Sequence, residues 1–372
     1  MSQGLLPYAV EVVEGADTVT GRAGLPLVLE TLRALGLDQV IAEQVQVRER
    51  QSGYTEAEKI EALVLLLAAG GTCLDDIRVL QADAGLRRLL GRRFPSADAL
   101  RHFLYACHDD QLIAQAQAQR PPDRVAYIPA ENAALQGLGR VNTALVHRVA
   151  AQGRSTTATL DHDATIQESH KREALPHYQG GRGYQPTAVY WVEQDLVVAD
   201  EYRDGNVGAG METLPLICRA FASLPPTVTT LYFRADTACY DDRTLKWLQD
   251  PERPGGPRGP IGFTVGADMT QDLHEVCAAV PPCGRFGANA AWYRLSLLTS
   301  NVLSALKSLA LPPALSAARP KRLRFTVFTL AGRIVSHAGR VWLRLSAAAE
   351  RLAGVIAARQ RLARLAQALP AG

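Results

Sequence analysis

The first third of the chain places its apolar residues at close to the helical period. Across residues 26–35 they fall at Leu27, Val28, Leu32 and Leu35, the spacing of one helix face. Thr55 followed three positions later by Glu58, just ahead of an apolar run, is a capping-box signature. It predicts a helix through Ala69 that Gly70 and Gly71 stop. Ser96 predicts another cap, with Leu100, Phe103 and Leu104 on one face. The glutamine-rich residues 111–119, closed by Pro121 and Pro122, read as a connector.

Beyond residue 150 the period changes. Residues 155–161 (STTATLD), 187–193 (TAVYWVE) and 196–202 (LVVADEY) are rich in β-formers and predict three strands. Residues 211–222 return to helical spacing at Leu214, Ile217 and Phe221. A fourth strand (229–235, TTLYFRA), a short helix (242–248) and, after a Pro/Gly-rich loop, a fifth strand (261–265) follow. That order is the order of a ribonuclease-H-like fold. The predicted class is α/β: a mixed sheet flanked by helices, with a helical amino-terminal domain (1–150) that suits either DNA binding or plain core helices, an incomplete core (151–280) and a basic helical carboxyl-terminal region (281–372). The last helix, over 347–369, has apolar Leu352, Ile356, Leu362 and Leu365 interspersed with Arg351, Arg359, Arg361 and Arg364. It suits packing within the chain, DNA contact or pairing with another subunit.

Composition narrows the class. At 372 residues and 47% hydrophobic the chain can bury about two domain cores, which excludes a disordered protein. The longest near-apolar stretch, 62–69, is too short to cross a bilayer, and the amino terminus lacks the basic-then-apolar order of a signal peptide. Six cysteines without a C-x-x-C pair read as reduced thiols of a cytoplasmic protein. The net charge of +3 hides an asymmetry: from Val276 onward fourteen Lys or Arg face one acid, Glu350. Such a carboxyl end suits a polyanion, with DNA the expected partner. A solvated basic face, or an interface with the acidic remainder, is the alternative.

Two acidic groups sit at predicted strand ends: Asp161 and Asp163 after the first strand, and Asp236 after the fourth. Carboxylates at neighbouring strand ends can converge on hard divalent cations, Mg²⁺ or Mn²⁺, which take oxygen ligands. Two such ions about 3.5–4 Å apart activate a water or a 3′-hydroxyl and stabilise the leaving oxygen of a phosphodiester. Filling both shells takes three acids. A D-x-D alone is also a common solvated turn and the metal motif of nucleotide-sugar transferases, for which no nucleotide-binding motif is present.

The run TLDHDATIQESHK, then GGRGYQP, RDGNVGAG and FRADTACY, resembles bacterial insertion-sequence transposases with a DDE-type active site. The basic end, FGANAAWYRLSLLTSNVLSALKSLALPP with ARPKRLRFTVFTLAGRIVSHAGR, and the amino-terminal LLLAAGGTCLDDIRVL and FPSADALRHFL resemble the same family. The resemblance implies that Asp163 is the first catalytic aspartate, with Asp161 the alternative, and Asp236 the second. It also implies Mg²⁺ or Mn²⁺ as cofactor, transposon-end and target DNA as partners, and a possible homodimer on DNA. The family's third acid, a glutamate in Y-x2-R-x3-E-x6-K, has no counterpart. GADMTQDLHEVCAAV runs directly into VPPCGRFGANAAWYR, so the core is expected to be internally shortened near residues 279–282. Glu275, 39 residues after Asp236, is the candidate replacement, ahead of Asp268 and Asp272. Its alternative is an ordinary surface acid.

Other positions divide less sharply. Gly180, Gly181 and Gly183 suit either phosphate approach or a tight strand connection. Arg203 and Asn206 suit a phosphate contact or a capped turn. His162 and His170 lack metal-ligand partners at useful spacing. Arg319, Lys321, Arg322 and Arg324 form the densest basic cluster and the candidate phosphate contact. The sequence thus leads to a DNA transposase impaired by a missing third carboxylate, or to a non-catalytic DNA-binding remnant.

Overall fold

The computed structural model describes residues 18–47, 53–153, 155–171, 174–266, 286–329, 332–337, 340–345 and 349–368. A short strand, β1 (Thr18–Thr20), leads into eight helices: α1 (Pro26–Ala34), α2 (Leu37–Gln44), α3 (Glu56–Ala68), α4 (Ile77–Ala82), α5 (Ala84–Leu90), α6 (Ala97–Tyr105), α7 (Asp110–Gln119) and α8 (Ala133–Ala150). The expected caps are present. Thr55 Oγ1 accepts from the Glu58 amide at 3.1 Å while the Thr55 amide donates to Glu58 Oε2 at 2.7 Å. Ser96 Oγ accepts from the Ala99 amide, and Leu100, Phe103 and Leu104 are buried. The expected connector at 111–119 is instead α7. Asp109 caps it by accepting from the amides of Gln111 and Leu112, and glutamine and alanine are adequate helix formers once nucleated.

The central sheet holds five strands: β2 (Thr157–Ala164), β6 (Thr187–Trp191), β7 (Leu196–Glu201), β8 (Thr230–Ala235) and β9 (Ile261–Val265), in the order β7-β6-β2-β8-β9. β6 runs antiparallel to both β2 and β7, whereas β8 and β9 run parallel to β2. This is the mixed sheet expected from the strand order. Between β2 and β6 lies a small three-stranded sheet that sequence patterning missed: β3 (Gln167–Glu168), β4 (Leu175–Pro176) and β5 (Arg182–Tyr184). Strands of two or three residues carry no readable period. Gly180 has φ +90° in its turn, and a Cβ on Gly183 would lie 2.2 Å from the Gln167 carbonyl oxygen, so these glycines serve strand connection.

α9 (Thr213–Ala222) and α10 (Asp242–Gln249) cover one sheet face, where the Phe221 ring lies 6.4 Å from Phe233 and 5.9 Å from Trp247. The long α11 (Phe286–Leu309) passes along the β7 edge. An unpaired edge strand leaves main-chain groups unsatisfied. Here Asn301 of α11 accepts from the Val197 amide at 2.7 Å, and Asn301 and Asn142 both donate to the Val197 carbonyl.

Arg294, also on α11, is buried. It donates to Asp200 on β7 (3.0 Å), to both oxygens of Glu131 (2.7 and 2.9 Å) and to the Leu135 carbonyl. Burial opposes the Arg294 charge, but Asp200 and Glu131 outweigh it and raise its pKa; burial likewise opposes the Glu131 charge, and Arg294 overcomes it.

The carboxyl end holds α12 (Pro320–Leu323), which runs into a π-turn, then the hairpin β10 (Gly332–His337) and β11 (Arg340–Leu345), and α13 (Ala349–Ala368). The expected helical tail is thus interrupted by two strands whose β-branched and aromatic residues (RIVSH, RVWLRL) favour a pleated surface. β1 pairs with β10, and α13 packs on α1. α13 buries Val355, Ala358 and Leu362, while Ile356, expected on its apolar face, is 48% exposed. Among the described residues no helix is long and apolar enough to cross a membrane.

Removing Arg294 leaves Asp200 and Glu131 as buried, uncompensated charges, which costs about 3–5 kcal/mol. Arg294→Met is therefore expected to lower the unfolding free energy by that amount in a denaturant titration; a loss below about 1 kcal/mol would show that the cluster does not clamp α11.

Candidate active site

Parity along β2 decides what faces what. Ala158, Leu160 and His162 are buried against α9 and α10, so Thr159, Asp161 and Asp163 occupy the opposite face. That face is open over β8 and β9, where Tyr232, Arg234 and Thr264 are exposed. β2 and β8 run parallel with His162 beside Ala235, so the next residue of each, Asp163 and Asp236, emerges at the same edge of the sheet. Partial burial, and then the negative charge of Asp236, hold the Asp163 carboxyl above its ordinary range.

The acids have different partners. Asp236 caps a 3₁₀ turn, Thr237–Cys239, through Oδ1, which accepts from the Ala238 amide at 3.0 Å. Asp163 and Asp236 are both exposed. Asp161, the alternative first acid, shares Asp163's face but is held by Arg234 through two bonds of 2.5 Å. That pairing leaves Asp163 as the better placed oxygen donor. Glu275 lies outside the described residues, as do Asp268 and Asp272. Among the described residues no group of three or more His, Cys, Asp or Glu side chains could hold a metal ion. Asp163 and Asp236 fit the oxygen chemistry of a divalent cation, whose charge would offset the burial and the Asp236 charge that raise Asp163.

The 203–206 turn is structural. Arg203 is 1% exposed; its Nε donates to Glu201 Oε2 at 2.6 Å and its Nη1 to the Met211 carbonyl at 2.7 Å. It holds the loop ahead of α9 and is not available to phosphate. In the same turn burial alone pushes the Asp204 carboxyl up to about 6.

His162 was not expected to take part, yet it lies buried directly behind the acids. Its Nε2 is 2.7 Å from Thr187 Oγ1 and its Nδ1 is 3.2 Å from Cys239 Sγ. Burial first, then the Arg203 charge, push its pKa down to about 4, and burial pushes the Cys239 thiol up to about 12. The readable signal was parity, since a residue between two outward acids on a strand must point into the core.

In the basic cluster Arg319, Lys321 and Arg322 are exposed, and the Arg324 guanidinium lies against Gly70. Arg319 and Lys307 line one cavity with Asp195, the residue preceding β7. β7 runs parallel to β2 with Leu196 level with Leu160, so this cavity lies toward the other end of the strands from Asp163, about 13 Å along them at 3.3 Å per residue.

A mixed β7-β6-β2-β8-β9 sheet with paired aspartates at adjoining strand ends defines a ribonuclease-H-like protein. Residues 8–281 match the family described as transposase DDE domain group 1. That is most of the chain, and the protein belongs to this family. No curated protein matches. Among solved structures the chain is similar to a piggyBac transposase, in the cryo-EM structure of its synaptic complex with hairpin DNA, at 12% identity and a TM-score of 0.33. The match covers 69% of this chain and 54% of that one. The chain thus spans about half the length of that neighbour.

Asp204 also sets a pH dependence. Between about pH 4 and pH 6 the native state keeps a proton that the unfolded chain has released, so this group's contribution falls as pH rises through that window and stays low above it. Asp204→Asn is expected to stabilise the protein at pH 8, by at most about 3 kcal/mol, and to leave it unchanged near pH 4. Thermal melts at the two pH values check this, and equal shifts at both would refute it.

Proposed function

We propose that this chain is a DNA transposase of an insertion sequence, built for metal-dependent phosphodiester hydrolysis and strand transfer at transposon ends. The supporting observation is the emergence of Asp163 and Asp236 side by side from parallel strands, within a family of transposase domains. Asp163 and Asp236 would hold divalent cations, Mg²⁺ or Mn²⁺. Bound there, the metal supplies Lewis-acid chemistry that activates a water or 3′-hydroxyl and stabilises the leaving oxygen.

The chain's own side chains do the rest. Asp236 keeps its carboxylate oriented through the Ala238 amide, and Arg234 draws Asp161 away from the pair. No covalent protein–DNA intermediate is required. Exposed Arg319, Lys321 and Arg322 contact DNA phosphates toward the other end of the strands and so position a duplex without reading its sequence. An enzyme acting on bacterial DNA works in the cytoplasm, and two element ends call for two copies of the chain.

Two carboxylates cannot complete the shells of two ions. This copy is therefore weak or inactive in cleavage unless Glu275 takes the third place. The absence of a Y-x2-R-x3-E-x6-K counterpart after Asp236 in the sequence favours a second reading, a DNA-binding remnant that occupies element ends.

The test is Mg²⁺- or Mn²⁺-dependent cleavage of DNA carrying the native element ends, comparing wild type with Asp236→Ala. Cutting that the substitution abolishes supports the catalytic reading. Binding without cutting in either protein, unaffected by chelator, supports the remnant. Replacing Arg319, Lys321 and Arg322 by Ala is expected to flatten the dependence of log K on log salt by about 0.9 for each phosphate that is no longer neutralised. An unchanged slope in a fluorescence titration would remove the cluster from the DNA interface.

A further inference from the structure

A buried chain of hydrogen bonds runs behind the two aspartates, and its direction can be worked out atom by atom. Thr187 Oγ1 lies 3.0 Å from the main-chain carbonyl oxygen of Asp163 and 2.7 Å from His162 Nε2. The carbonyl has no hydrogen to give, so the hydroxyl proton points to it. Thr187 can then only accept from the ring, and His162 carries its proton on Nε2. A neutral imidazole protonated there has a bare Nδ1. The atom 3.2 Å from Nδ1 is Cys239 Sγ, which must donate as a thiol. The chain therefore has one polarity: Cys239 S–H to His162 Nδ1, His162 Nε2–H to Thr187 Oγ1, and Thr187 O–H to the Asp163 carbonyl. Its side chains are 0%, 3% and 1% exposed respectively, so no water competes for these bonds.

The three residues join the segments that carry the acids. His162 precedes Asp163 on β2, and Thr187 opens the antiparallel neighbour β6 opposite Ala164. Cys239 ends the 3₁₀ turn that Asp236 caps, and its amide donates back to the Asp236 carbonyl at 3.3 Å. Any buried imidazole needs partners for its ring nitrogens; here both come from the segments that carry the acids.

We propose that His162 is a positioning residue, locked as the Nε2–H tautomer by Cys239 and Thr187, which sets the relative placement of Asp163 and Asp236 for a divalent cation. This rests on the reading of the two aspartates as a cation site.

The tautomer is tested first, by ¹⁵N NMR of metal-free, histidine-labelled protein. A bare Nδ1 and protonated Nε2 are expected for His162; the opposite tautomer or an imidazolium overturns the proposal. Mn²⁺ binding is then followed by the EPR signal of the free ion. Cys239→Ala is expected to weaken it about tenfold, the usual cost of losing a partner behind a metal ligand, while Cys239→Ser, which keeps a donor, stays near wild type. Thr187→Val and Thr187→Ser give the same comparison at the other end of the chain, should a cysteine variant fail to fold. Unchanged affinity in the Ala and Val variants, or equal losses in each donor-keeping variant and its donor-free partner, overturns the positioning role. Wild-type protein that binds Mn²⁺ no better than the Asp163→Asn, Asp236→Asn double variant overturns the cation reading itself. The metal-free tautomer result separates that failure from the other.

Discussion

Arg294 is the cation on which the arrangement of elements depends. One guanidinium reaches β7 through Asp200, the segment before α8 through Glu131, and the first turn of α8 through the Leu135 carbonyl. Burying an arginine is costly unless its charge and donors are met, and here two carboxylates and two carbonyls meet them. The network extends through Arg219, which binds Glu201 and the Asp200 carbonyl, to Arg203 on the other oxygen of Glu201. Three arginines and three carboxylates balance. Their common effect is to fix the β7 edge and the loop that follows it, and through β6 the strand that carries Asp163.

The charge asymmetry of the chain takes on a second meaning in this light. Arg294, Lys307 and Arg359, all from the basic end, pair with Glu131 and Asp200, Asp195 and Glu30 of the acidic remainder. Opposite charge in the two parts is therefore partly an internal interface, as one alternative at sequence level held. Arg319, Lys321 and Arg322 are exposed and clustered, and so remain open to a polyanion. The two uses are compatible, since salt screens the buried Arg294 pairs much less than the exposed cluster.

Much of the fold was legible because its signals are local. Thr55 with Glu58, Ser96, and the alternation in residues 187–191 and 230–235 each specify an element from within a few residues, and the strand order then points to one sheet topology. What escaped depends on distant partners. The small sheet exists because Gly183 can lie against Gln167, and α7 forms where composition suggested a linker. The hairpin at 332–345 was hidden by the arginines between its apolar residues. In the site, Asp163 and Asp236 could be picked out at strand ends. The rival claim of Asp161 could not be weighed until Arg234 was seen beside it, 73 residues away.

The same separation explains why His162 looked idle. Its partners Thr187 and Cys239 are 25 and 77 residues distant, so no motif contains all three. Yet the face they share follows from strand parity, and so does the division of labour. Acids at 161 and 163 face the open side of the sheet, and the histidine between them faces the core. Like charges at two strand ends repel, so their placement needs an opposing restraint until a cation arrives. A ladder of backbone bonds holds β2 and β8 together only as far as His162 and Ala235. Beyond that pair Asp163 stays in the β6 ladder opposite Ala188, but no strand pairing ties it to Asp236, and side chains link the two segments. The thiol, imidazole and hydroxyl behind the acids stand where that restraint is needed.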